Sequence, residues 1–355
     1  MDTTIRASLL FLAFVTLTWS LHQTAAIVAP FALAVFFWLM IDTFARWIDG
    51  LSPKMPYWLA LTIAGLFVVA GLVGIVLIIA DTAQDVARDA PRYQERLHEI
   101  LEWVKRITRQ PDLELVKLTQ GLDIRAFLTG FASSIQGVLS EFLLIALYVV
   151  FLFAAQSSFP KKMDDLFPNV ARRAQAQKVG ERIRLSVEKY IGVQTIISLM
   201  QTVISYVAMA ALGLDNALFW ALVIFILNYI PIVGGLAAVA LPVIFALVQF
   251  DSPGRIALLA GALFGAQFII GNTIQPKMMG DSMNLSALVV VLSLTLWSAL
   301  WGGVGAFLSA PLTVIIMIIF AQFQTTRWIA VLLSADGDPD FEGDGIAVKK
   351  ASPSL

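Results

Sequence analysis

The residues that could do chemistry in this sequence are uncharged: amide side chains, and the backbone groups that glycine and proline leave exposed. Amides both donate and accept hydrogen bonds, and helix ends beside a Pro or a Gly pair offer unpaired N–H and C=O groups. The candidate substrate-binding residues of this kind are Asn228, Pro231, Gly234, Gly235, Asn272, Gln275, Gly302 and Gly303. Such a set can bind a small polar substrate reversibly, and none of its members is a nucleophile or a general base.

Most enzyme chemistry is excluded by composition. The 355 residues contain no cysteine, which rules out thiolate nucleophiles, disulfides, iron–sulfur clusters and cysteine zinc sites. His22 and His98 are the only histidines, which excludes HExxH-type metal sites and disfavours a Ser-His-Asp triad. We predict that the protein is not an enzyme and has no catalytic residue, cofactor or metal. The net charge of −1, without a basic cluster, predicts no nucleic-acid partner.

Each amide also has a purely structural interpretation. Asn272 and Gln275 could hold helices together, because amides in transmembrane helices commonly hydrogen-bond their neighbours. Asn228 could simply cap the helix that ends beside it. Three hydroxyl residues are expected to bond carbonyls of their own helices: Ser293, Ser309 and Thr313.

The elements that must position these residues are apolar. Hydrophobic residues make up 59% of the chain and charged residues 14%, against about 45–50% and about 25% in soluble domains. A bilayer core about 30 Å thick requires roughly 20 apolar residues per helix. Blocks of that order lie near 7–21, 25–41, 57–80, 138–155, 193–213, 217–250, 256–275 and 285–323. The predicted fold is an all-α polytopic membrane protein embedded in the lipid bilayer.

Two of these blocks are too long for one span and carry a helix breaker in the middle. In 217–250 the break is set by Pro231 and the glycine pair after it, following an arm of about 21 Å at 1.5 Å per residue. In 285–323 the break lies at 298–305, following an arm of about 20 Å. We predict two re-entrant helical hairpins in addition to six full transmembrane helices.

The two hairpins are predicted to enter the membrane from opposite sides. Each returns to its own face, and the single span 256–275 separates them. Oppositely oriented broken elements that meet near the midplane are typical of the binding site of a secondary transporter. A loose match between GGLAAVALP (234–242) and GGVGAFLSAP (302–311) favours an internal repeat, although chance could produce it in so apolar a region.

The polar segments set the predicted orientation and domains. Residues 156–192 carry twice as many basic as acidic residues, so the positive-inside rule places this loop in the cytoplasm. Four crossings precede it, which predicts cytoplasmic N- and C-termini. The predicted domains are an N-terminal three-span scaffold (1–80), an extracytoplasmic helical insert (81–135), a helix with the basic loop (136–192), a transport core (193–326) and a disordered cytoplasmic tail (327–355).

The first block has two interpretations. Arg6 precedes an apolar stretch that ends at Thr24-Ala25-Ala26, which is compatible with a cleaved signal peptide. The apolar block that starts at Ile27 instead favours the return arm of a helical hairpin that turns at His22-Gln23-Thr24.

Neither the hairpins nor the span between them contains an ionisable side chain. No Asp, Glu, Lys, Arg or His occurs from Ile256 to Pro276 or from Ser282 to Thr326. Proton- and cation-coupled transporters commonly hold a carboxylate within the membrane. Glu141 is the one intramembrane candidate, and its position favours the outer interface.

Several of these motifs resemble the AI-2E family of bacterial membrane transporters. NYIPIVGG (228–235) is similar to that family's Asn-aromatic-Ile-Pro-x-x-Gly element, and GNTIQPKMMGDSMNLSALVVVLSLTLW (271–297) with GGVGAFLSAPL (302–312) to its C-terminal signature. The likeness is greatest to the branch that contains the autoinducer-2 exporter. It implies an inner-membrane exporter of a small polar quorum-sensing signal such as autoinducer-2, forming a homo-oligomer, expected to be a pentamer.

The resemblance leaves the substrate open. Some members are described as sodium or lithium/proton antiporters, and relatives often have an acidic residue where this chain has Gln275 and His-Pro where it has Ser286-Ala287. The missing carboxylate favours a neutral substrate over a cation. Na⁺(Li⁺)/H⁺ antiport and a passive channel or scaffold, with 81–135 binding a partner, are the alternatives.

Overall fold

A computed structural model describes residues 3–51, 56–108, 141–279 and 284–339. Within these ranges the chain is helical, and its only β contact is an isolated antiparallel bridge between Leu285 and Ser334. Five helices are long and apolar enough to cross a membrane, or six if a bent pair counts as one span. The prediction of an all-α polytopic membrane protein is confirmed.

Twelve α-helices are numbered here in chain order within the described residues. They are α1 (Thr3–Gln23), α2 (Ala25–Leu51), α3 (Tyr57–Thr108), α4 (Glu141–Gln156), α5 (Phe159–Leu166), α6 (Val170–Ala211), α7 (Ala217–Leu227), α8 (Val233–Gln249), α9 (Pro253–Ile269), α10 (Gln275–Met279), α11 (Ala287–Ala321) and α12 (Arg327–Leu333). A π-helical turn, Ile270–Ile274, joins α9 to α10.

The predicted chain reversal at His22-Gln23-Thr24 is not observed. Helices α1 and α2 are separated by Thr24 alone, and helical hydrogen bonds continue on both sides of it, from Thr24 N to Ser20 O and from Val28 N to Thr24 O, at 2.9 Å each. Antiparallel helices need a loop of about 2–5 residues. The α1–α2 junction is therefore an interruption in a helical segment. It does not provide the turn on which the predicted count of four crossings relied.

Two predicted polar regions continue helices. Helix α3 runs without a break from the apolar block into the predicted insert, with its apolar span at Tyr57–Asp89. The rest of the insert, 109–135, lies outside the described residues. The basic segment after α4 forms α5, bent by 66° from α4, and the first turns of α6. Charged helix extensions are stable outside the bilayer because their side chains are solvated.

The start of the predicted disordered tail is structured. Helix α12 packs Ala330 against Met317 and Ala321 of α11. Beyond it, Asn284 receives the chain: its carbonyl oxygen accepts from Ala335 N at 2.9 Å, and its side-chain nitrogen donates to Asp336 Oδ1 at 2.8 Å. Residues 340–355 lie outside the described part of the chain.

The chain divides into two compact units, each described here by itself. One comprises the described parts of Met1–Met40, Tyr148–Gln194 and Ile274–Leu355, and contains α11. The other comprises the described parts of Ile41–Leu147 and Thr195–Thr273, and contains α7, α8 and α9. Its apolar core is formed by α7, α8 and α9 with the end of α6, around Ile224, Val239 and Leu263.

Candidate functional site

Helices α7 and α8 form the first hairpin, 217–250. The side chain of Gln249 joins its two ends: Oε1 accepts from Asp215 N at 2.8 Å, and Nε2 donates to Gly213 O at 2.9 Å. The base also contacts α3 beyond its apolar span, where Tyr93 OH donates to Asp215 Oδ2 at 3.3 Å. Burial, and then the neighbouring Asp215 carboxylate, raise the pKa of Tyr93.

The tip of this hairpin is a strained turn at the predicted breaker. Pro231 lacks an N–H and cannot continue the helical ladder. Ile232 follows with φ 62° and ψ −63°, and Val233 N donates to Pro231 O at 2.6 Å. These values define a γ-turn of the rare positive-φ type, at a β-branched residue that disfavours positive φ. Helix α8 begins at the next residue.

Gly234 allows the two arms to approach at the tip. A Cβ at this position would overlap the carbonyl oxygen of Leu227, the last residue of α7. Because that atom belongs to the backbone, no side-chain rotation can relieve the overlap. Gly234 is therefore a structural requirement of the turn.

Gly235 lies against Gln267, a residue of α9 that was not among the predicted site residues. A Cβ on Gly235 would overlap Gln267 Nε2, and one on Gly271 would lie 3.6 Å from the same atom. Gln267 Oε1 is buried without a hydrogen-bond partner among the described residues. The tip thus carries an amide oxygen able to accept a hydrogen bond. Only three-dimensional proximity to Gly235 distinguishes Gln267 from other amides in the sequence.

The remaining polar residues of this tip are inward-facing. Asn228 is buried at the end of α7, and its backbone N–H continues the helix by donating to Ile224 O at 3.1 Å. The hydroxyl of Tyr229 lies 2.7 Å from Thr195 Oγ1 on α6. This contact fixes the first tip to α6.

The structure places Asn272 in the π-helical turn. Its Nδ2 donates to Phe268 O in the preceding turn at 3.0 Å, and the residue is exposed. This amide N–H is therefore bonded within its own helix rather than to a neighbouring helix. Gln275 begins α10 and is half-buried. Single-turn π-helices are frequent at functional sites, so the turn keeps Asn272 among the candidates.

Helix α11 contains the second hairpin. Its backbone leaves the helical region at Trp301 (φ −129°, ψ 15°) and Gly302 (φ 60°, ψ −135°), inside the predicted break. Trp297 Nε1 donates to Thr313 Oγ1 at 3.3 Å. These residues would be about 24 Å apart along a straight helix. The two arms of α11 are therefore folded back on each other.

Gly305, rather than the predicted Gly303, makes the close approach in the second tip. A Cβ on Gly305 would overlap the carbonyl oxygen of Trp297, whereas one on Gly302 or Gly303 would meet no atom within 4 Å. Gly302 is needed for its positive φ instead. Gly234 and Gly305 thus play the same part in the two hairpins, with one residue of length difference, which supports the internal repeat.

The second tip is attached to the α1–α2 interruption. Trp301 Nε1 donates to Leu21 O at 3.1 Å, and His22 Nδ1 lies 3.3 Å from Leu300 O. The ordinary helical donor to Leu21 O would be Ala25 N, which lies beyond the interruption. The break at Thr24 therefore frees a carbonyl that the tryptophan of the tip uses.

The hydroxyls of the second hairpin behave as predicted. Ser293 Oγ donates to Val290 O at 2.9 Å, and Ser309 Oγ to Ala306 O at 2.8 Å. Thr313 Oγ1 donates to Ser309 O at 2.7 Å. These side chains are satisfied by their own helices.

One buried charged cluster lies elsewhere and was not predicted. Asp42, in α2, is 1% exposed, pairs with Arg46 at 2.8 Å and accepts a hydrogen bond from Tyr57 OH. Tyr57 is the first residue of α3, so the cluster joins two consecutive helices. Among the described residues, no group of three or more His, Asp or Glu could hold a metal ion.

Comparison with known proteins identifies the family. The family model described as AI-2E family transporter matches residues 9–325. The chain belongs to this family and is a multi-pass membrane transport protein. It is 30% identical over 319 residues to the AI-2 transport protein TqsA of Escherichia coli (strain K12), covering 87% of this chain and 90% of that protein. It is 24% identical over 329 residues to the sodium-lithium/proton antiporter of Halobacillus andaensis, covering 84% and 90%.

Proposed function

We propose that this protein is a secondary transporter that exports a small, neutral, polar solute across the bacterial inner membrane, and that the solute is a quorum-sensing signal of the autoinducer-2 type. The observation that carries the proposal is the pair of broken hairpins, whose tips expose backbone and amide groups and contain no ionisable side chain. Such tips suit hydroxyl and carbonyl groups better than a bare cation. The relative named as an AI-2 transport protein supports the choice of solute.

The binding groups in this proposal are those of the two tips and of the π-helical turn. The set is Asn228, Pro231, Gly234, Gly235, Asn272, Gln275, Gly302 and Gly303, to which we add Gln267. Cytoplasmic termini, a homo-oligomeric and specifically pentameric assembly, and tips that meet near the midplane stay predictions. Gly234 acts through the shape of the turn, and Gln267 offers a hydrogen-bond acceptor.

Uptake into everted membrane vesicles tests the proposal. In everted vesicles an exporter accumulates its substrate, so labelled autoinducer-2 should enter vesicles with the protein faster than vesicles without it. Asn272→Ala and Gln267→Ala should each reduce uptake, by about 5–30-fold for one lost hydrogen bond of about 1–2 kcal/mol. Leu288→Ala is the matched control, because Leu288 is 69% exposed on α11. Equal uptake in vesicles that lack the protein would refute the proposal.

Monovalent cation/proton antiport is the second candidate. It is favoured by the similarity to a sodium-lithium/proton antiporter and by the buried Asp42 carboxylate in α2. Antiport requires a carboxylate that exchanges a proton for the cation, and Asp42 is already paired with Arg46. Sodium-dependent dequenching of a pH-sensitive dye in everted vesicles, lost in Asp42→Asn, would support antiport over solute export.

A further inference from the structure

Helix α6 carries a line of polar side chains within its apolar part. Ser198, Gln201 and Ser205 are each 0% exposed, and Thr202 is half-buried beside them. Residues three and four apart lie on one face of a helix, with about 5–6 Å between their Cβ atoms. These four residues are called the α6 polar face below.

The opposite side of the same helix is apolar and exposed. Leu199, Val203 and Val207 are 54%, 52% and 59% exposed, as expected for side chains that contact lipid. The α6 polar face therefore points into the protein. Thr195, one turn before Ser198, contacts Tyr229 of the first hairpin tip at 2.7 Å, so the α6 polar face begins beside that tip.

Most polar atoms of this face lack partners within the part of the chain that the structure describes. Gln201 Nε2 donates to Ser205 Oγ at 3.3 Å. Ser198 Oγ, Gln201 Oε1 and Thr202 Oγ1 are buried and make no hydrogen bond. By contrast, the hydroxyls of α11 all bond carbonyls of their own helix. Ser198 and Thr202 therefore have a hydrogen-bonding capacity that their helix does not use.

Buried polar groups in proteins are almost always satisfied, by protein or by ordered water. No bulk water exists in the hydrocarbon core, so unsatisfied groups at membrane depth are tolerated only where they line a wet cavity. Three unsatisfied oxygens on adjacent positions match the two to four partners that a buried water uses. A polar solute that passes there could replace that water, because both offer hydroxyl donors.

We propose that the α6 polar face lines a water-filled path for the solute next to the first hairpin tip, and that it recognises hydroxyl groups of an uncharged solute. The second part rests on the proposed function. Gln201 Oε1 can only accept a hydrogen bond, whereas Ser198 and Thr202 can donate or accept. No Asp, Glu, Lys, Arg or His lies between Lys189 and Asp215, so this part of α6 offers a charged solute no counter-ion.

The absence of cysteine from the chain makes hydration directly measurable. Single Ser198→Cys and Thr202→Cys variants of the full chain, in membranes, are exposed to a charged methanethiosulfonate reagent that reacts with thiolates in water. Ile197→Cys is the buried apolar control, since Ile197 is 2% exposed. Val203→Cys is the control for the lipid-facing side. Equal expression and monodispersity in detergent establish that the variants are folded.

We expect both polar-face cysteines to react at least about tenfold faster than either control, because a thiol ionises in water and not in a dry interior. Reaction of Ser198→Cys and Thr202→Cys at the rate of Ile197→Cys would show a dry contact and overturn the proposal. This readout requires no transport, so it stands if the proposed export function fails.

Solute recognition is tested on the same variant. Addition of autoinducer-2 should slow the labelling of Ser198→Cys by about fivefold or more at saturating concentration, through occupation of the path. Unchanged labelling, in a protein whose vesicles accumulate autoinducer-2, would overturn recognition by this face. Failure of the wild-type vesicles to accumulate it would count against the proposed function instead.

Discussion

Ile232 occupies a backbone conformation that a β-branched residue strongly disfavours. Positive φ at non-glycine residues costs about 1–3 kcal/mol and persists only where the surrounding structure enforces it. Here the enforcement comes from both sides: Tyr229 bonds Thr195, and Gly234 packs on the carbonyl of Leu227. Strain at one residue of the tip is thus balanced by contacts of its neighbours.

Replacement of Ile232 by glycine should stabilise the protein. Glycine removes the positive-φ strain, and Ile232 is 61% exposed, so little burial is lost. After the entropic cost of glycine we expect a gain of about 1 kcal/mol in the free energy of unfolding. Val233→Gly, at the start of α8, is the control and should instead destabilise by about 0.5–1 kcal/mol. Thermal unfolding in detergent measures both, and a lower Tm for Ile232→Gly would contradict the strained turn.

Alanine at Gly305 and at Gly303 should have opposite consequences although the two positions are neighbours. The new Cβ overlaps the carbonyl of Trp297 at Gly305 and meets no atom within 4 Å at Gly303. We expect Gly305→Ala to lower stability by about 1–3 kcal/mol, as overpacking does, and to abolish uptake. Gly303→Ala should retain both. Equal behaviour of the two variants would show that the arms of α11 are not in contact at Gly305.

Each hairpin is an element whose ends as well as its tip are fixed by side chains. Gln249 joins the ends of the first hairpin, and α12 with the Leu285–Ser334 bridge follows the second. A short pair of apolar helices has few polar contacts with which to define its register. These side-chain bonds at the base supply that definition.

Loss of the Gln249 amide should loosen the first hairpin. Gln249→Leu keeps the volume but removes two hydrogen bonds to buried backbone groups, which should cost about 2–4 kcal/mol in the free energy of unfolding. Gln322→Leu is the control, because Gln322 Nε2 donates only to Ile318 O of its own helix. Hydrogen exchange at the amides of Asp215 and Phe250 should accelerate in Gln249→Leu alone. Unchanged exchange there would refute the role of Gln249.

The Asn284 contact should hold the start of the tail in a pH-dependent way. The hydrogen bond from Asn284 keeps the pKa of Asp336 below its ordinary value. A lowered folded-state pKa stabilises above the ordinary Asp value of about 3.9 and the effect is lost as pH falls through the lowered pKa. Asn284→Gly, which retains the positive φ of Asn284, should expose the amides of Ala335 and Asp338 to exchange at neutral pH. Wild-type protection that is independent of acidification would contradict this.

At the scale of the whole molecule, local chemistry was predictable and long-range contact was not. The breaks at Pro231 and Gly302 follow from backbone properties of single residues, so the sequence was sufficient to predict them. The partner of a close approach depends on where a distant carbonyl lies, which is why Gly303 was chosen instead of Gly305. Gln267 and the α6 polar face depend equally on packing. The interruption at Thr24 and the order after Arg327 required hydrogen bonds that no periodicity reveals.

The most direct test of the account uses purified protein in liposomes with an outward gradient of labelled autoinducer-2 and no ion gradient. The account predicts saturable release of the label that is fast in wild type and Gly303→Ala, slow in Gly305→Ala, and accompanied by no sodium-dependent change of internal pH. Release equal to that from empty liposomes, or a sodium-driven pH change without movement of the label, would contradict transport of a neutral solute at uncharged hairpin tips.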